Sequence, residues 1–345
     1  MTDRFLRACR REPTDRTPVW FMRQAGRSQP EYRALRERYS LLEICRTPEL
    51  CAEVTLRPAA QLGVDAVILF ADITLPLLGL GVEFDLIEGQ GPVIARPLRT
   101  AADVRRLRPL DPARDVPFVL EAIRLVRRDA RVPLIGFAGA PFTLASYLVE
   151  GRGARDLLLT KRMLFEAPEV WDTLMAHLVD ATVAYLRAQV DAGAQALQLF
   201  DSWVGALAPD DYARAVLPHM RRLFDGLRAL RVPVIHFGTG TAGLLRLMTQ
   251  AGGDVIGVDW RIRLADAWAL VGDRGIQGNL DPAALLAPFE VAARAAHTIL
   301  TDAAGRPGHI FNLGHGVLPH TPQDHLRRLV ALVHEHVPLP AGGAR

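Results

Sequence analysis

Short apolar runs recur along the chain, and most are followed by a segment in which apolar residues have helical spacing. The runs show little alternation of apolar and polar positions, which is typical of parallel strands covered on both faces. The predicted strands are 18–22, 64–70, 133–137, 196–200, 233–237, 255–258, 275–278 and 309–312. The clearest predicted helices are 168–192, 209–230, 242–251 and 282–304. Eight strand–helix units in 345 residues predict the α/β class and a (β/α)8 TIM-type barrel.

The sequence contains no linker, low-complexity tract or tandem repeat, so we expect residues 1–345 to form a single domain. The interval between the second and third predicted strands is long, and 79–97 within it has hairpin-like content. We therefore expect a decorated insertion at the mouth of the barrel. The tail at 338–345 is expected to fray.

Composition is typical of a globular protein, and its arginine-rich positive charge suits anionic substrates. Half of the residues (50%) are apolar, and the formal net charge is only +3. Lys161 is the only lysine, so a Schiff-base mechanism has a single candidate amine. Arginine supplies the other positive charges, and its planar fork binds carboxylates. No block of consecutive basic residues indicates a nucleic-acid partner.

Cysteine content and hydropathy predict a cytoplasmic protein. Cys9, Cys45 and Cys51 are an odd number and form no closed disulfide framework, which favours a reducing compartment. The first residues are charged and lack the apolar stretch of a secretory signal. The most apolar segment, 63–82, contains two aspartates and a proline, so we interpret it as a buried strand with its loop rather than as a membrane span.

Barrel enzymes carry their active sites at the carboxyl ends of the strands, so the polar residues there are the candidates. Arg23 and Arg27 follow the first predicted strand and are four residues apart. A helical turn would place both guanidinium groups on one face and make a carboxylate clamp. The alternative is two solvated arginines in an arginine-rich chain.

The later strands are followed by further candidates. Asp72 has almost no charged neighbour in sequence, so it either lies in a pocket or serves as a helix cap or Asx turn. Tyr147 is a pocket hydroxyl or a core tyrosine, and Ser202 is a pocket hydroxyl or a helix cap. His315 lies between two glycines, which permit close approach of backbone and ligand.

The sequence gives only weak support for binding of a dinucleotide or of zinc. Residues 238–243 match G-x-G-x-x-G, with Asp259 about twenty residues further on, as in a dinucleotide-binding fingerprint. This unit is the fifth of eight, however, whereas the fingerprint usually opens a doubly wound sheet. A nicotinamide oxidoreductase is therefore an alternative only. Zinc–thiolate chemistry is not indicated, because no H-E-x-x-H or C-x-x-C occurs and no cysteine follows Cys51.

Taken together, these segments resemble the uroporphyrinogen decarboxylase family over nearly the whole chain. The matching segments include PVWFMRQAGR, VDAVILFADIT, GFAGAPFTLASYLVEG, QLFDSWVGALAP, HFGTG, QGNLDP and FNLGHGVLP. The resemblance implies loss of CO2 from the four acetates of uroporphyrinogen III to give coproporphyrinogen III in haem biosynthesis. It also implies no cofactor or metal, and usually a homodimer.

By resemblance, the substrate-binding residues are Arg23, Arg27, Asp72, Tyr147, Ser202 and His315. Arg23, Asp72 and Tyr147 are the catalytic candidates, with Asp72 as the pyrrole-binding carboxylate. The proton donor stays open among Arg23, Tyr147, His315 and a held water. Ala71 and the pair at 28–29 depart from the common family residues, which puts local loop packing in doubt. The alternatives are a zinc- and thiol-dependent methyltransferase of the same barrel superfamily and a non-catalytic tetrapyrrole-binding protein.

Overall fold

A parallel sheet of seven strands lies at the centre of the computed structural model, which describes residues 3–87 and 89–336. The strands are β1 (Val67–Ile68), β2 (Phe84–Ile87), β3 (Gly91–Ile94), β4 (Leu134–Gly139), β5 (Ala196–Asp201), β6 (Val234–Gly238), β7 (Val255–Gly257), β8 (Gly275–Leu280) and β9 (His309–Leu313). The parallel sheet has the order β1-β4-β5-β6-β7-β8-β9. Since neighbours in the sheet follow one another along the chain, each connection is a simple crossover.

Six of the predicted strands, from 133–137 onward, are confirmed to within one or two residues. Every residue of β4 and of β8 is buried, which explains why these runs lack alternation. The predicted hairpin within 79–97 is also present, since β2 and β3 pair antiparallel, with Phe84 opposite Ile94. The tail at 338–345 lies outside the described residues.

The predicted first strand is wrong as a regular strand. Among the described residues, 18–22 forms only an isolated parallel bridge, between Val19 and Phe311. The Phe311 N–H donates to Pro18 O (2.9 Å), and the Asp65 N–H donates to Val19 O (2.8 Å). A longer ladder does not form because the Val19 N–H donates to the Asp65 carboxylate (2.8 Å). The segment still lies between β9 and the chain that enters β1.

The second predicted strand is shortened for a similar reason. Only Val67–Ile68 of the predicted 64–70 is strand. The Phe70 N–H donates to the Thr55 hydroxyl (2.9 Å), so the backbone leaves the sheet there. Asp72 then follows on a loop, where its side chain can point over the end of the sheet.

The α-helices surround the sheet. Among the described residues they are α1 (Arg4–Cys9), α2 (Pro30–Arg36), α3 (Leu41–Arg46), α4 (Pro48–Leu62), α5 (Leu75–Gly79), α6 (Ala101–Val104), α7 (Pro112–Asp115), α8 (Pro117–Asp129), α9 (Pro141–Glu150), α10 (Leu158–Glu166), α11 (Pro168–Ala192), α12 (Pro209–Ala215), α13 (Leu217–Leu227), α14 (Leu245–Ala251), α15 (Leu264–Val271), α16 (Phe289–Ala303) and α17 (Gln323–Glu335). No helix in the described part of the chain is long and apolar enough to span a bilayer.

Proline and glycine set many of these boundaries. The predicted helix 168–192 is confirmed as α11, with Pro168 at its first position, where the missing N–H costs nothing. The predicted helix 209–230 is instead two helices and a 3₁₀ turn, because Pro218 lacks an N–H and lies in the first turn of a new helix that begins at Leu217. Similarly, 282–304 divides into a 3₁₀ segment and α16 just after Pro288. The predicted 242–251 begins as a 3₁₀ turn before α14.

Candidate active site

A cavity of about 680 Å³ opens at the carboxyl ends of the parallel strands. All six residues singled out from the sequence line it, namely Arg23, Arg27, Asp72, Tyr147, Ser202 and His315. They come from five separate places in the chain, so the fold brings them together. The hairpin residues Leu86, Ile87 and Gln90 also line the cavity. The six residues therefore lie together, and their roles stay predictions.

Three phenylalanine rings form an apolar surface in the cavity. Phe137, Phe200 and Phe237 pack edge to face, with ring centroids 5.4 Å and 5.9 Å apart. The His315 ring continues the row, 6.5 Å from Phe237. Sequence reasoning missed this surface, although three consecutive strand runs end in phenylalanine. The row offers an apolar surface on which the apolar part of a ligand can lie.

Asp72 has both of the roles that its sequence context suggested. The Thr74 N–H (2.9 Å) and the Thr74 hydroxyl donate to Oδ1, which makes an Asx turn before α5. None of the hydrogen bonds in the described part of the chain uses Oδ2. The side chain is half-buried and lines the cavity, so one oxygen fixes its orientation and the other can meet a ligand.

The helical turn expected at Arg23 and Arg27 is wrong. Arg23 has a φ of +60°, in the left-handed region, and the segment consists of turns. Two distant contacts fix it, since the Met22 N–H donates to Asn312 Oδ1 (3.2 Å) and the Val317 N–H donates to Met22 O (2.8 Å). The arginine loop is thereby tied to the loop that carries His315, and both arginines reach the same cavity by this route.

Arg23 sits in an environment that opposes its charge. Burial lowers the pKa of its guanidinium, and the nearby Arg27 lowers it further, while Asp72 and Tyr147 act in the opposite direction. Its side chain meets water inside the cavity. Protein atoms surround the guanidinium on its other sides, so burial lowers its pKa even though part of the side chain is exposed. Such a cation gains by taking up an anionic ligand.

The glycines beside His315 are required by neighbouring protein atoms, and Gly316 also lines the cavity. A Cβ on Gly316 would lie 2.4 Å from Arg23 Cδ, and one on Gly314 would lie 2.7 Å from the Trp260 nitrogen. The loop therefore packs directly against the stem of Arg23. Burial, aided by Arg23, lowers the pKa of His315 to about 4, so the imidazole is neutral at pH 7.

The lowered pKa of His315 predicts a specific acid sensitivity. The folded-state pKa of about 4 lies below the ordinary 6.5, so the unfolded chain binds more protons between these values. Stability is therefore lost as the pH falls from about 6.5 to about 4. The free energy of unfolding of His315→Gln, measured by urea denaturation at a series of pH values, should decline less steeply over this range. The difference in slope should correspond to at most about one bound proton. The exposed His320→Gln serves as the control and should follow wild type; a His315→Gln curve parallel to wild type would contradict the account.

Tyr147 and Ser202 come from neighbouring elements. The Tyr147 ring packs against Trp203, with centroids 6.0 Å apart and planes at 78°. Burial raises the pKa of Tyr147, and Trp203 partly offsets this, so the phenol keeps its proton at neutral pH. Ser202 follows β5 directly and caps no helix, and its carbonyl accepts from the Thr239 hydroxyl (2.6 Å). Both residues line the cavity.

The glycine-rich segment at 238–243 is used for packing within the protein. The Gly240 N–H donates to Asp259 Oδ2 (2.6 Å), and the Arg261 guanidinium also binds that oxygen. Asp259 is 2% exposed, so its carboxylate is not open to a ribose. A Cβ on Gly205 would lie 2.2 Å from Thr239 O, which requires glycine where these loops cross. These contacts disfavour the nicotinamide reading.

The residues that the structure describes also do not favour the zinc reading. No group of three or more His, Cys, Asp or Glu side chains within them is arranged to hold a metal ion. Cys9, Cys45 and Cys51 are free and buried. Burial raises the pKa of the Cys51 thiol to about 12, which disfavours the thiolate that zinc binds.

A second, more open groove of about 940 Å³ lies next to the cavity. Arg27 and Arg36 line both, and Arg33 adds positive charge on the groove side. The Arg33 guanidinium donates to the carbonyls of Arg27 and Ser28, so it also supports the arginine loop. Since Asp72 does not line the groove, we place the candidate active site in the smaller cavity.

Comparisons with known proteins identify related sequences and a related fold. Residues 1–336 match the family model described as uroporphyrinogen decarboxylase (URO-D). The chain is 56% identical over 338 residues to the uroporphyrinogen decarboxylase of Carboxydothermus hydrogenoformans, covering 97% of each chain. It is 58% identical over 335 residues to that of Thermus thermophilus, covering 97% and 98%. A solved methyltransferase from Methanosarcina mazei matches with a TM-score of 0.76 at 22% identity, covering 96% and 97%, which shows similarity of fold alone.

Proposed function

The chain belongs to the uroporphyrinogen decarboxylase family, and on this premise we propose that it converts uroporphyrinogen III to coproporphyrinogen III. The protein is a carboxy-lyase that removes CO2 from acetate side chains in haem biosynthesis. The observation that carries the proposal is the convergence of all six family-matched residues on one cavity of about 680 Å³. This volume is within the range of pockets that enclose small-molecule ligands, about 300–1,000 Å³.

Each decarboxylation needs an electron sink, which the pyrrole ring provides. Protonation of the ring carbon between the nitrogen and the acetate-bearing carbon makes the ring cationic and leaves the acetate-bearing carbon conjugated with the positive charge. The C–C bond to the carboxylate then breaks, its electron pair flows into the ring, and CO2 leaves. A second proton adds to the exocyclic carbon and forms the methyl group, while the ring carbon loses the first proton. The net change consumes one proton for each acetate.

Asp72 is proposed to stabilise the cationic ring. Its Oδ2 would accept the pyrrole N–H bonds, while Thr74 holds Oδ1. A fixed carboxylate in a partly desolvated cavity stabilises developing positive charge more than water does. The phenylalanine row supports this placement, because the apolar macrocycle can lie against it.

The arginines are proposed to hold the substrate carboxylates in bidentate pairs. Arg23 and Arg27 line the cavity together, and the lowered pKa of Arg23 reflects burial that an anion would offset. His315 is neutral at pH 7 in the free protein, so it serves as a hydrogen-bonding partner rather than as an imidazolium acid. Tyr147 and Ser202 supply further hydrogen bonds to the bound substrate.

Gly316→Ala tests the packing of Arg23. The new Cβ would lie 2.4 Å from Arg23 Cδ and 2.6 Å from Cγ, so the arginine must move. We expect KM for uroporphyrinogen to rise about tenfold, the effect of roughly 1.4 kcal/mol of lost binding. Gly243→Ala is the matched control, because nothing lies within 4 Å of its Cβ position. Steady-state kinetics compares the two variants, and equal KM values would contradict the assigned role of Arg23.

The cofactor-free mechanism is part of the proposal. Lys161, the only lysine in the sequence, does not line the cavity, so a Schiff base has no amine there. The protonated pyrrole takes the place of an external electron sink.

Finer features of the architecture are also proposed. We infer that the sheet closes into a (β/α)8 barrel formed by residues 1–345 as a single domain, with 18–20 in place of a first strand. The hydrogen bonds from that segment to Phe311 and Asp65 support the closure. A decorated insertion, a homodimer and a cytoplasmic location complete the proposal, and the free cysteines support the reducing compartment. Sedimentation at micromolar concentration tests the homodimer.

An anaerobic turnover assay tests the function. Protein dialysed against a chelator and given no cofactor should convert uroporphyrinogen III to coproporphyrinogen III, with four CO2 released per macrocycle. Tight binding of the macrocycle without release of CO2 would indicate a carrier instead. Activity only with zinc and a thiol substrate would indicate a methyltransferase.

A further inference from the structure

Behind the wall of the cavity, at the last position of β5, lies the fully buried carboxylate of Asp201. It does not line the cavity. Its Oδ1 accepts a hydrogen bond from the Thr143 hydroxyl (2.9 Å), and that hydroxyl accepts one from the Trp203 N–H (3.2 Å). A single hydroxyl group thus joins the first turn of α9 to the turn that follows β5.

The two joined segments carry residues of the cavity. Tyr147 lies one helical turn after Thr143 on α9, and Ser202 lies between Asp201 and Trp203. The Tyr147 and Trp203 rings are also in contact, with centroids 6.0 Å apart. A shift of α9 relative to β5 would therefore move the Tyr147 and Ser202 hydroxyls relative to each other.

The burial of the Asp201 side chain is energetically unfavourable. Its Oδ2 has no hydrogen-bond partner among the described residues, and the Nε2 atom of buried His236 is 3.8 Å away. The two ring nitrogens of His236 and the hydroxyl of Tyr212 also lack hydrogen-bond partners among the described residues. A buried carboxylate with one neutral hydrogen bond reduces stability. A buried carboxyl group that accepts a hydrogen bond linking two cavity-bearing segments is therefore a candidate for a role in positioning them.

We propose that Thr143 and Asp201 are positioning residues, which hold Tyr147 and Ser202 in the geometry that decarboxylation requires. The inference rests on the proposed function, because it concerns the same cavity. Neither residue lines the cavity, so neither acts as an acid, a base or a substrate ligand. The expected effect is on kcat, since a misplacement of about 1 Å at a reacting centre costs up to about 100-fold in rate.

Four variants separate the hydrogen bond from the charge. Thr143→Val removes the hydroxyl at nearly constant volume, and Thr143→Ser retains it. Asp201→Asn retains an oxygen acceptor for Thr143 but removes the negative charge. Thr160→Val is the matched control, because buried Thr160 donates to the Glu150 carboxylate (2.9 Å) at the opposite end of α9.

In the turnover assay, Thr143→Val should lower kcat about tenfold or more while KM changes less than about threefold. Thr143→Ser should recover kcat to within about threefold of wild type. Asp201→Asn should lose less activity than Thr143→Val, because the amide oxygen can still accept the hydrogen bond from the Thr143 hydroxyl. Thr160→Val should lower Tm about as much as Thr143→Val and leave kcat within about twofold.

Three results would overturn the inference. They are a Thr143→Val kcat no lower than that of Thr160→Val, no recovery in Thr143→Ser, and an Asp201→Asn loss equal to that of Thr143→Val. The fluorescence emission of Trp203 is isolated by subtracting the spectrum of the Trp203→Phe protein from that of the same protein with Trp203 present. Its emission maximum should shift in Thr143→Val but not in Thr160→Val. The emission reports the link without any turnover, so an inactive wild type would reject the proposed function separately.

Discussion

Asp72→Asn is expected to lower kcat for uroporphyrinogen decarboxylation by about 10²- to 10³-fold, the usual cost of removing one preorganised group that stabilises transition-state charge. The amide keeps the shape of the side chain and can still accept from Thr74, so the loop should hold its conformation. What is lost is the negative charge on the oxygen that faces the cavity. KM should change much less, because the arginines dominate binding of the substrate carboxylates.

Asp85→Asn is the control for this variant. Asp85 is an exposed carboxylate on β2 that does not line the cavity, so kcat should stay within about twofold of wild type. Single-turnover measurements under anaerobic conditions compare the chemical step in the two variants. If Asp72→Asn decarboxylates as fast as Asp85→Asn, the carboxylate does not stabilise the ring.

Arg23→Lys is expected to lower kcat/KM by about 10- to 100-fold, as expected for the loss of a charge-assisted bidentate pair. The positive charge remains, so the variant isolates the planar fork of the guanidinium from its charge. The left-handed backbone at this position accepts lysine as it accepts arginine, which limits the effect on folding.

Arg11→Lys provides a matched control for Arg23→Lys. Arg11 is also an arginine with a left-handed backbone, with a φ of +59°, but it packs against Gly308 before β9 begins, away from the cavity. Its kcat/KM should stay within about twofold of wild type. Equal losses in both variants would show that the effect arises from substitution at a strained backbone rather than from substrate binding.

The sequence predicted which residues converge because a parallel sheet has one simple rule. The carboxyl ends of its strands share an edge, so Asp72, Ser202 and His315 were expected to be neighbours once the strand runs had been recognised. The six later strands and α11 were predictable from apolar runs and from proline and glycine at helix ends. Arg23, Arg27 and Tyr147 were candidates for the same reason, and the family resemblance added the roles expected of all six residues.

The remaining features depend on contacts between distant parts of the chain. The conformation of Arg23 is set by bonds from Met22 to Asn312 and from Val317 to Met22, and local spacing predicted a helical turn instead. Gly316 is required by the stem of Arg23, which no local rule reveals. The link between Thr143 and Asp201 likewise joins residues 58 apart in sequence.

The most direct test of the central claim is the structure of the protein with coproporphyrinogen bound in the cavity. The account predicts the macrocycle against the phenylalanine row, with its pyrrole nitrogens turned toward Asp72 Oδ2 at a hydrogen-bonding distance of about 2.7–3.2 Å. Its carboxylates should be paired with Arg23 and Arg27. A macrocycle bound with its nitrogens directed away from Asp72, or outside this cavity, would contradict the account.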